Sequence, residues 1–455
     1  MVAKPIKNNA ITEGVIWKQL LIFFFPLLLG AFFQQMYNMA DSIIVGRYLG
    51  KEALSAVGGS TGKIVDVLTY FSVALTTGSS VIIAQYYGAK NYIHTERAVH
   101  TAVTFAALFG LVVTVLGFAL TPVMLKAIDT PDEILKPSIT YLRIYFIGMV
   151  PNLLYNMGAA ILRAIGDSKR PLIFLAITCF LNIIIDLFFV VVLNMGVAGA
   201  AIATLVSRIF CAVVVLIQLR KDRQPIVVRD YMKTRPNWSM IRKILGIGIP
   251  SGVENSMFQL GKIMVLSLVS TFGTSAIAAN AVSNAVAQFQ ILPGMAINLA
   301  VTAVIARCIG AGRYDQAEYY TKKLVLLVYF CHITVNICIW LALPLILKVY
   351  NLSPETADTA RQILHFHGIC ASIVWPVAFT LPCTLRAAGD AKVTMYISIA
   401  SMWFCRIVMS YVLGKYLGMG VFGVWVAMIF DWCVRFVAMT FRYRQGKWKQ
   451  IDSLA

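Results

Sequence analysis

The nonapeptide Arg163-Ala-Ile-Gly-Asp-Ser-Lys-Arg-Pro171 returns 223 positions later as Arg386-Ala-Ala-Gly-Asp-Ala-Lys-Val-Thr394. Other segments keep nearly the same spacing. Pro26 recurs as Pro250, Ala84-Gln-Tyr-Tyr-Gly88 as Ala306-Arg-Cys-Ile-Gly310, and Gly196-Val-Ala-Gly199 as Gly420-Val-Phe-Gly423. The chain is therefore two copies of one unit, with domain boundaries at 1–219, a linker at 220–243, and 244–455. Only 13% of its 455 residues are charged and 59% are hydrophobic, against about 25% charged in a soluble domain. Most of such a chain faces lipid. A duplication on this scale in an apolar chain is the pattern of a secondary transporter, whose site lies between repeats.

Runs long enough to cross a bilayer, about 20 mainly apolar residues each, fall at 16–44, 54–86, 98–121, 138–162, 170–193, 197–219, 244–271, 276–306, 322–347, 362–385, 392–414 and 421–441. Twelve spans, six per repeat, make an all-α membrane protein of two parallel repeats, because an even number returns the chain to its starting side. The first apolar run is too long for a secretory signal and lacks a small-residue cleavage site, so it counts as a span. Lysine and arginine test the topology. The termini and even-numbered loops hold 26 of them and the opposite side 8, which places both termini in the cytoplasm by the positive-inside rule. The net charge of +19 then belongs to loops beside anionic headgroups, not to a nucleic-acid surface. The linker carries Arg220-Lys-Asp-Arg, Pro225 and Pro236 and reads as a surface tether.

Metal, disulfide and enzymatic chemistry find no support. The nine cysteines form no C-x-x-C pair, and His365 and His367, two apart, point to different faces of a helix. No nucleophile–base pair stands near the interface. No cofactor is expected.

The informative residues are acids inside spans, since a charge at the bilayer centre costs on the order of 2.5–3.5 kcal/mol on insertion scales and usually marks an ion or substrate route. Gln34, Asn38 and Asp41 share one face of the first span at i, i+4, i+7, and Asn182 and Asp186 share one face of the fifth. The second repeat lacks this set: Val265 stands opposite Asp41 and Met409 opposite Asp186. An acidic cluster confined to one repeat points to a cation site there, and a helix-locking hydrogen-bond network is the alternative. Pro26, about four turns before Asp41, removes a backbone hydrogen bond; a hinge and a static kink both fit it. In the seventh span Asn255, Gln259 and Lys262 repeat the i, i+4, i+7 spacing, and Glu254 and Lys262 stand on nearly one face, close enough to neutralise one another through a neighbour. Asn280, Asn284 and Gln288 form an amide row in the eighth span, suited to a cavity wall or a packing seam. Asp66 stands near the outer end of its span. Asp431 and Arg435 are spaced to pair. Arg208 and Arg406 have no partner on their own helices, and the Arg-Ala-x-Gly-Asp loops read as architectural.

Taken together, Pro26 with Gln34-Gln-Met-Tyr-Asn-Met-Ala-Asp41, the Gly88-Ala-Lys90 and Gly310-Ala-Gly312 turns, the two Arg-Ala-x-Gly-Asp loops, Asn182-Ile-Ile-Ile-Asp186 and Gly196–Thr204 resemble the MATE (multidrug and toxic compound extrusion) transporters, nearest their bacterial DinF-like branch. The resemblance covers both repeats. It implies two six-helix lobes in a V, and antiport that exports organic, often cationic, small molecules against H+ or Na+ by alternating access. It maps the cation site onto Asp41, Asn182, Asp186 and Thr204. It leaves Gln34, Asn38, Glu254, Gln259, Asn284 and Gln288 as candidate cavity residues and Pro26 as the hinge. The expected partners are the small-molecule substrate and membrane lipids, the protein acting as a monomer in the bacterial inner membrane. A flippase for lipids or lipid-linked sugars is the alternative, and it calls for a strongly cationic cavity.

Overall fold

In the computed structural model, which describes residues 16–220, 237–350 and 352–451, every regular element is helical. Most of the expected linker, with Lys4 and Lys7, lies outside the described residues. The first half comprises α1 (Ile16–Tyr48), α2 (Gly50–Gly58), α3 (Ser60–Gly88), α4 (Tyr92–Ala127), α5 (Asp132–Ile147), α6 (Met149–Ala164), α7 (Lys169–Asp186) and α8 (Gly196–Leu219). The second comprises α9 (Trp238–Ser270), α10 (Thr274–Gly310), α11 (Tyr314–Val349), α12 (Pro354–Ile373), α13 (Trp375–Ala387), α14 (Ala391–Ala400) and α15 (Gly420–Arg444). Past α7 and α14 the chain stays helical but widens to π-type winding, over Leu187–Val192 in one repeat and over Ser401–Val408 and Tyr411–Tyr416 in the other. The repeat offset grows from 223 at Lys169/Lys392 to 224 at Gly196/Gly420. The extra residue thus falls in the stretch that winds wide twice, as an insertion absorbed into a helix does.

Among the described residues, nine helical stretches are long and apolar enough to cross a membrane, and eleven if each of two bent pairs counts as one. The seventh expected span is the 33-residue α9, which carries Glu254, Asn255, Gln259 and Lys262. The fourth and tenth expected spans are not straight: α5/α6 bends by 47° about Gly148, and α12/α13 by 46° about Val374. Pro151 and Pro376 explain this, because neither has an N–H for the carbonyl four residues earlier. By contrast α1 and α9 run unbroken through Pro26 and Pro250.

Equivalent turns are built alike. After α6 the Asp167 N–H donates to Leu162 O at 2.8 Å with Gly166 at φ +90°; after α13 the Asp390 N–H donates to Leu385 O at 2.9 Å with Gly389 at φ +92°. Both are left-handed helix ends of the Schellman type, where glycine avoids the Cβ clash. The Arg-Ala-x-Gly-Asp loops are therefore architectural turns.

The outside of each half is apolar. On α4, Leu108, Leu111, Val112, Val115 and Leu116 are exposed, and on the equivalent α11, Leu326, Phe330, Ile333, Ile337, Leu341 and Leu345. These i, i+3, i+4 stripes would be a liability in water and are the expected face toward lipid.

Packing divides the chain into two compact units, one ending at Ile249 and the other starting at Pro250. The boundary falls six residues beyond the expected one because the first turns of α9 pack on α3. Gly78 admits the backbone of Ile244 and Gly248, and Lys243 Nζ donates to the Tyr86 hydroxyl at 3.4 Å.

Candidate functional site

In the first unit α7 packs against both α1 and α8, and this brings the acidic cluster together. Asn182 and Asp186 on α7 are fully buried, Thr204 on α8 is buried, and Asp41 on α1 is half-buried. Asp186 is the last residue of α7, at the point where the winding widens; such π-type turns re-aim side chains and recur at functional sites. Asp41 lies within electrostatic reach of Asp186. Both carboxylate oxygens of Asp186, both amide heteroatoms of Asn182 and Oδ1 of Asp41 are buried without a hydrogen-bond partner among the described residues. Native proteins rarely leave so many polar atoms unsatisfied in one place. A structural network would satisfy them internally; a site that receives an ion or a proton would not.

Three residues join this cluster that spacing within single helices did not assign to it. Tyr37, one turn before Asp41, lies beside Thr204, Asp41 and Asp186. Arg208, one turn after Thr204, acts electrostatically on Asp41 and stacks its guanidinium 4.3 Å above the Tyr145 ring. Tyr141 of α5 faces Asp41 and Arg208, while the Tyr145 hydroxyl is 3.0 Å from Thr69 Oγ1. The i+4 steps from Tyr37 to Asp41 and from Thr204 to Arg208 were the available signals. With both acids ionised, the cluster carries two negative charges and one positive.

Gln34 and Asn38 are exposed on α1, and Pro26 is buried within it.

The second unit is built differently. Glu254 has a partner that the helix spacing did not suggest. Arg386 donates from Nη1 to Glu254 Oε2 at 2.9 Å, with both side chains largely buried, so the architectural loop also sends an arginine to neutralise the acid. In the first repeat Gly30 stands where Glu254 stands here. Gln259 is buried, Gln288 half-buried, and Asn284 donates to its own helix at Asn280 O, 2.8 Å away. Asn280 Oδ1 accepts from Trp425 Nε1 at 3.1 Å, which makes that end of the amide row a packing seam. Asp66 is exposed.

Asp431 and Arg435 pair at 3.0 Å as their spacing predicts, and Ser401 also donates to Asp431. Around them stand Arg406, buried within the first wide-wound stretch, and the half-buried Lys262 and Phe258. His367 is buried against Gln290, Trp425 and Trp432, and His332 against Trp375 and the Ala371 carbonyl. His365 is exposed. Among the described residues no group of three or more His, Cys, Asp or Glu is placed to hold a metal ion.

A duplicated helical membrane protein with buried, unsatisfied acids inside its spans is a membrane transporter in class. The MatE family model matches residues 26–188 and again 250–412, so the chain belongs to the MatE family of transporters and is not an enzyme. It is similar to the probable multidrug resistance protein YoeA of Bacillus subtilis, 30% identical over 98% of this chain and 97% of that one. It is also similar to the probable multidrug resistance protein NorM of Thermotoga maritima, 27% identical over 98% and 96%. A solved structure described as the outward-facing conformation of a multidrug resistance MATE family transporter superposes with a TM-score of 0.91, at 21% identity, covering 98% of this chain and 100% of that one; at this identity the likeness is one of fold.

Proposed function

We propose that the protein is a cation-coupled antiporter that exports organic, often cationic, small molecules by alternating access, with the coupling ion taken up at Asp41, Asn182, Asp186 and Thr204. The observation that carries this is the group of buried, unsatisfied oxygens on Asp186, Asn182 and Asp41. The names of the relatives support a drug-like substrate. Arg208 favours a proton over sodium. Its guanidinium repels a metal ion held nearby but leaves a proton free to sit covalently on one carboxylate. With Arg208 offsetting one acid, a single proton brings the cluster to neutrality, the state most tolerable in apolar surroundings. The neutral cluster then repacks, with α1 bending at Pro26, where one backbone hydrogen bond is already missing. An inward-moving charge gains about 2.3 kcal/mol per 100 mV of membrane potential.

The protein sits in the bacterial inner membrane with both termini and the 220–243 linker in the cytoplasm. The lysine and arginine distribution supports this. Reagent applied from outside intact cells should fail to label Asp230→Cys on a cysteine-free background, and labelling there would reverse the orientation.

The decisive measurement is substrate counterflow in proteoliposomes under separately imposed proton and sodium gradients. Transport that follows the proton gradient alone supports the reading. Transport that follows sodium alone moves the coupling to a metal ion, and transport indifferent to both removes antiport.

A further inference from the structure

We infer that the second unit holds a subsite for an oxyanion, formed by Arg406, Lys262 and Phe258 and braced by the Asp431–Arg435 pair, which accepts a carboxylate or phosphate carried by the transported molecule. The inference rests on the exporter reading above and specifies its substrate class.

Three cationic side chains converge on one aromatic ring. Lys262 Nζ is 5.1 Å from the centroid of Phe258, the Arg406 guanidinium carbon 5.2 Å and that of Arg435 5.5 Å. Each sits within the range of a cation–π contact. Among the described residues Asp431 is the carboxylate that acts on Arg406; it pairs with Arg435, and its Oδ2 has no hydrogen-bond partner. Its Oδ1 accepts from Arg435 Nε at 3.0 Å and from Ser401 Oγ. Arg435 is further held at Nη2 by the Ser398 carbonyl, 3.0 Å away, so it is a fixed brace.

Arg406 is different. Its side chain makes no ion pair and no hydrogen bond among the described residues, its Nε is buried with no partner, and the residue is only 8% exposed. A buried guanidinium that reaches its acid, Asp431, only through space and hydrogen-bonds nothing is costly to hold, and a guanidinium is the side chain best shaped to take a carboxylate or phosphate through two parallel hydrogen bonds. The half-exposed Phe258 and Lys262 supply an apolar surface and a second positive charge at the approach. Three cations thus meet at Phe258, whereas the first unit's cluster joins two acids to one arginine. A substrate carrying an oxyanion would find complementary charge at Arg406.

The test uses the full-length protein in nanodiscs and a matched dye pair: tetramethylrhodamine, whose carboxylate is free, and tetramethylrhodamine methyl ester, in which it is masked. Binding is read by fluorescence anisotropy with no ion gradient, so a failure of coupled transport would leave this measurement intact. The free acid should bind the wild type more tightly than the ester. Arg406→Gln should weaken the acid about tenfold more than the ester, the scale of one lost charge-assisted pair. Arg406→Lys should recover part of the difference. Lys262→Gln, at a less buried position, should give a smaller loss of the same sign and keeps the test open if Arg406→Gln does not fold. A second arm adds phosphatidylglycerol to neutral discs. Competition with the acid that depends on Arg406 would assign the same site to a lipid phosphate. Equal binding of acid and ester, unchanged by all three substitutions in both lipids, would overturn the subsite.

Discussion

The first unit gathers the buried Asp186 with the half-buried Asp41 and Arg208, whereas the second gathers the buried Arg406 and Arg435 and the half-buried Lys262 around the buried Asp431. Yet the two halves share their turns to within a few degrees: Gly166 and Gly389 at φ +90° and +92°, Gly196 and Gly420 at +60° and +58°. Duplication has kept what the backbone requires and let the buried charges part company. Two of the divergent charges, Asp186 and Arg406, adjoin or lie within wide winding. Asp186 immediately precedes the π-type stretch of its repeat, and Arg406 lies inside the first of the two in the second repeat, where the first repeat has Ile183 in regular winding. A wide turn rotates the following side chains relative to regular winding, so this segment can acquire an inward-facing charge while the packed helices on either side stay in place.

The largest effect that could break this comparison is on coupling. Asp186→Asn and Asp41→Asn should each remove ion dependence from transport, cutting gradient-driven uptake by about a hundredfold, the scale set by 2.5–3.5 kcal/mol for one intramembrane charge. Expression should persist, because an amide preserves shape. Counterflow in proteoliposomes decides it. If both variants keep gradient-driven transport, the first unit's acids are structural and the contrast between units loses its functional meaning.

An intermediate effect is expected at Glu254. Its ion pair with Arg386 at 2.9 Å makes it a neutralised structural charge, so Glu254→Gln should leave ion dependence intact. It should destabilise the protein by about 1–3 kcal/mol, the penalty of leaving a largely buried partner unpaired. The double variant Glu254→Gln/Arg386→Gln should recover most of that loss in thermal unfolding. Loss of ion dependence in Glu254→Gln, with stability unchanged, would move coupling into the second unit.

Much of the fold was legible because it is written in local pattern. The duplicated Arg-Ala-x-Gly-Asp turns, the lipid-facing stripes and the i, i+4 pairs Asn182–Asp186 and Asp431–Arg435 all depend on residues close in sequence. What stayed hidden depends on contacts between helices. The i+4 step from Thr204 hints that Arg208 joins the cluster but not that it acts on Asp41 of another helix, and Glu254 meets an arginine 132 residues away, which no helical spacing could report. The bends at Gly148 and Val374 were missed for another reason: Pro151 and Pro376 lie inside apolar runs long enough to pass as straight spans. The buried His367–Gln290 contact was also invisible, since an isolated histidine on an apolar face carries no sign of its partner.

The smallest predicted effect concerns the symmetry itself. Gly166→Ala and Gly389→Ala each force a Cβ into the left-handed region, at a cost of roughly 1–2 kcal/mol. The Schellman bonds they support are nearly identical, 2.8 Å from Asp167 to Leu162 and 2.9 Å from Asp390 to Leu385. The two penalties should therefore agree within about 0.5 kcal/mol, the tolerance for independent sites, and neither should alter ion dependence, since both turns lie outside the buried clusters. Thermal unfolding of each variant in detergent, beside counterflow in liposomes, measures both quantities. Penalties that differ by more than that margin would show that the turns are held by something other than their shared backbone geometry, with the Asp390–Arg442 ion pair at 2.7 Å as the first place to look, because Asp167 has Arg170 of its own loop as its partner instead.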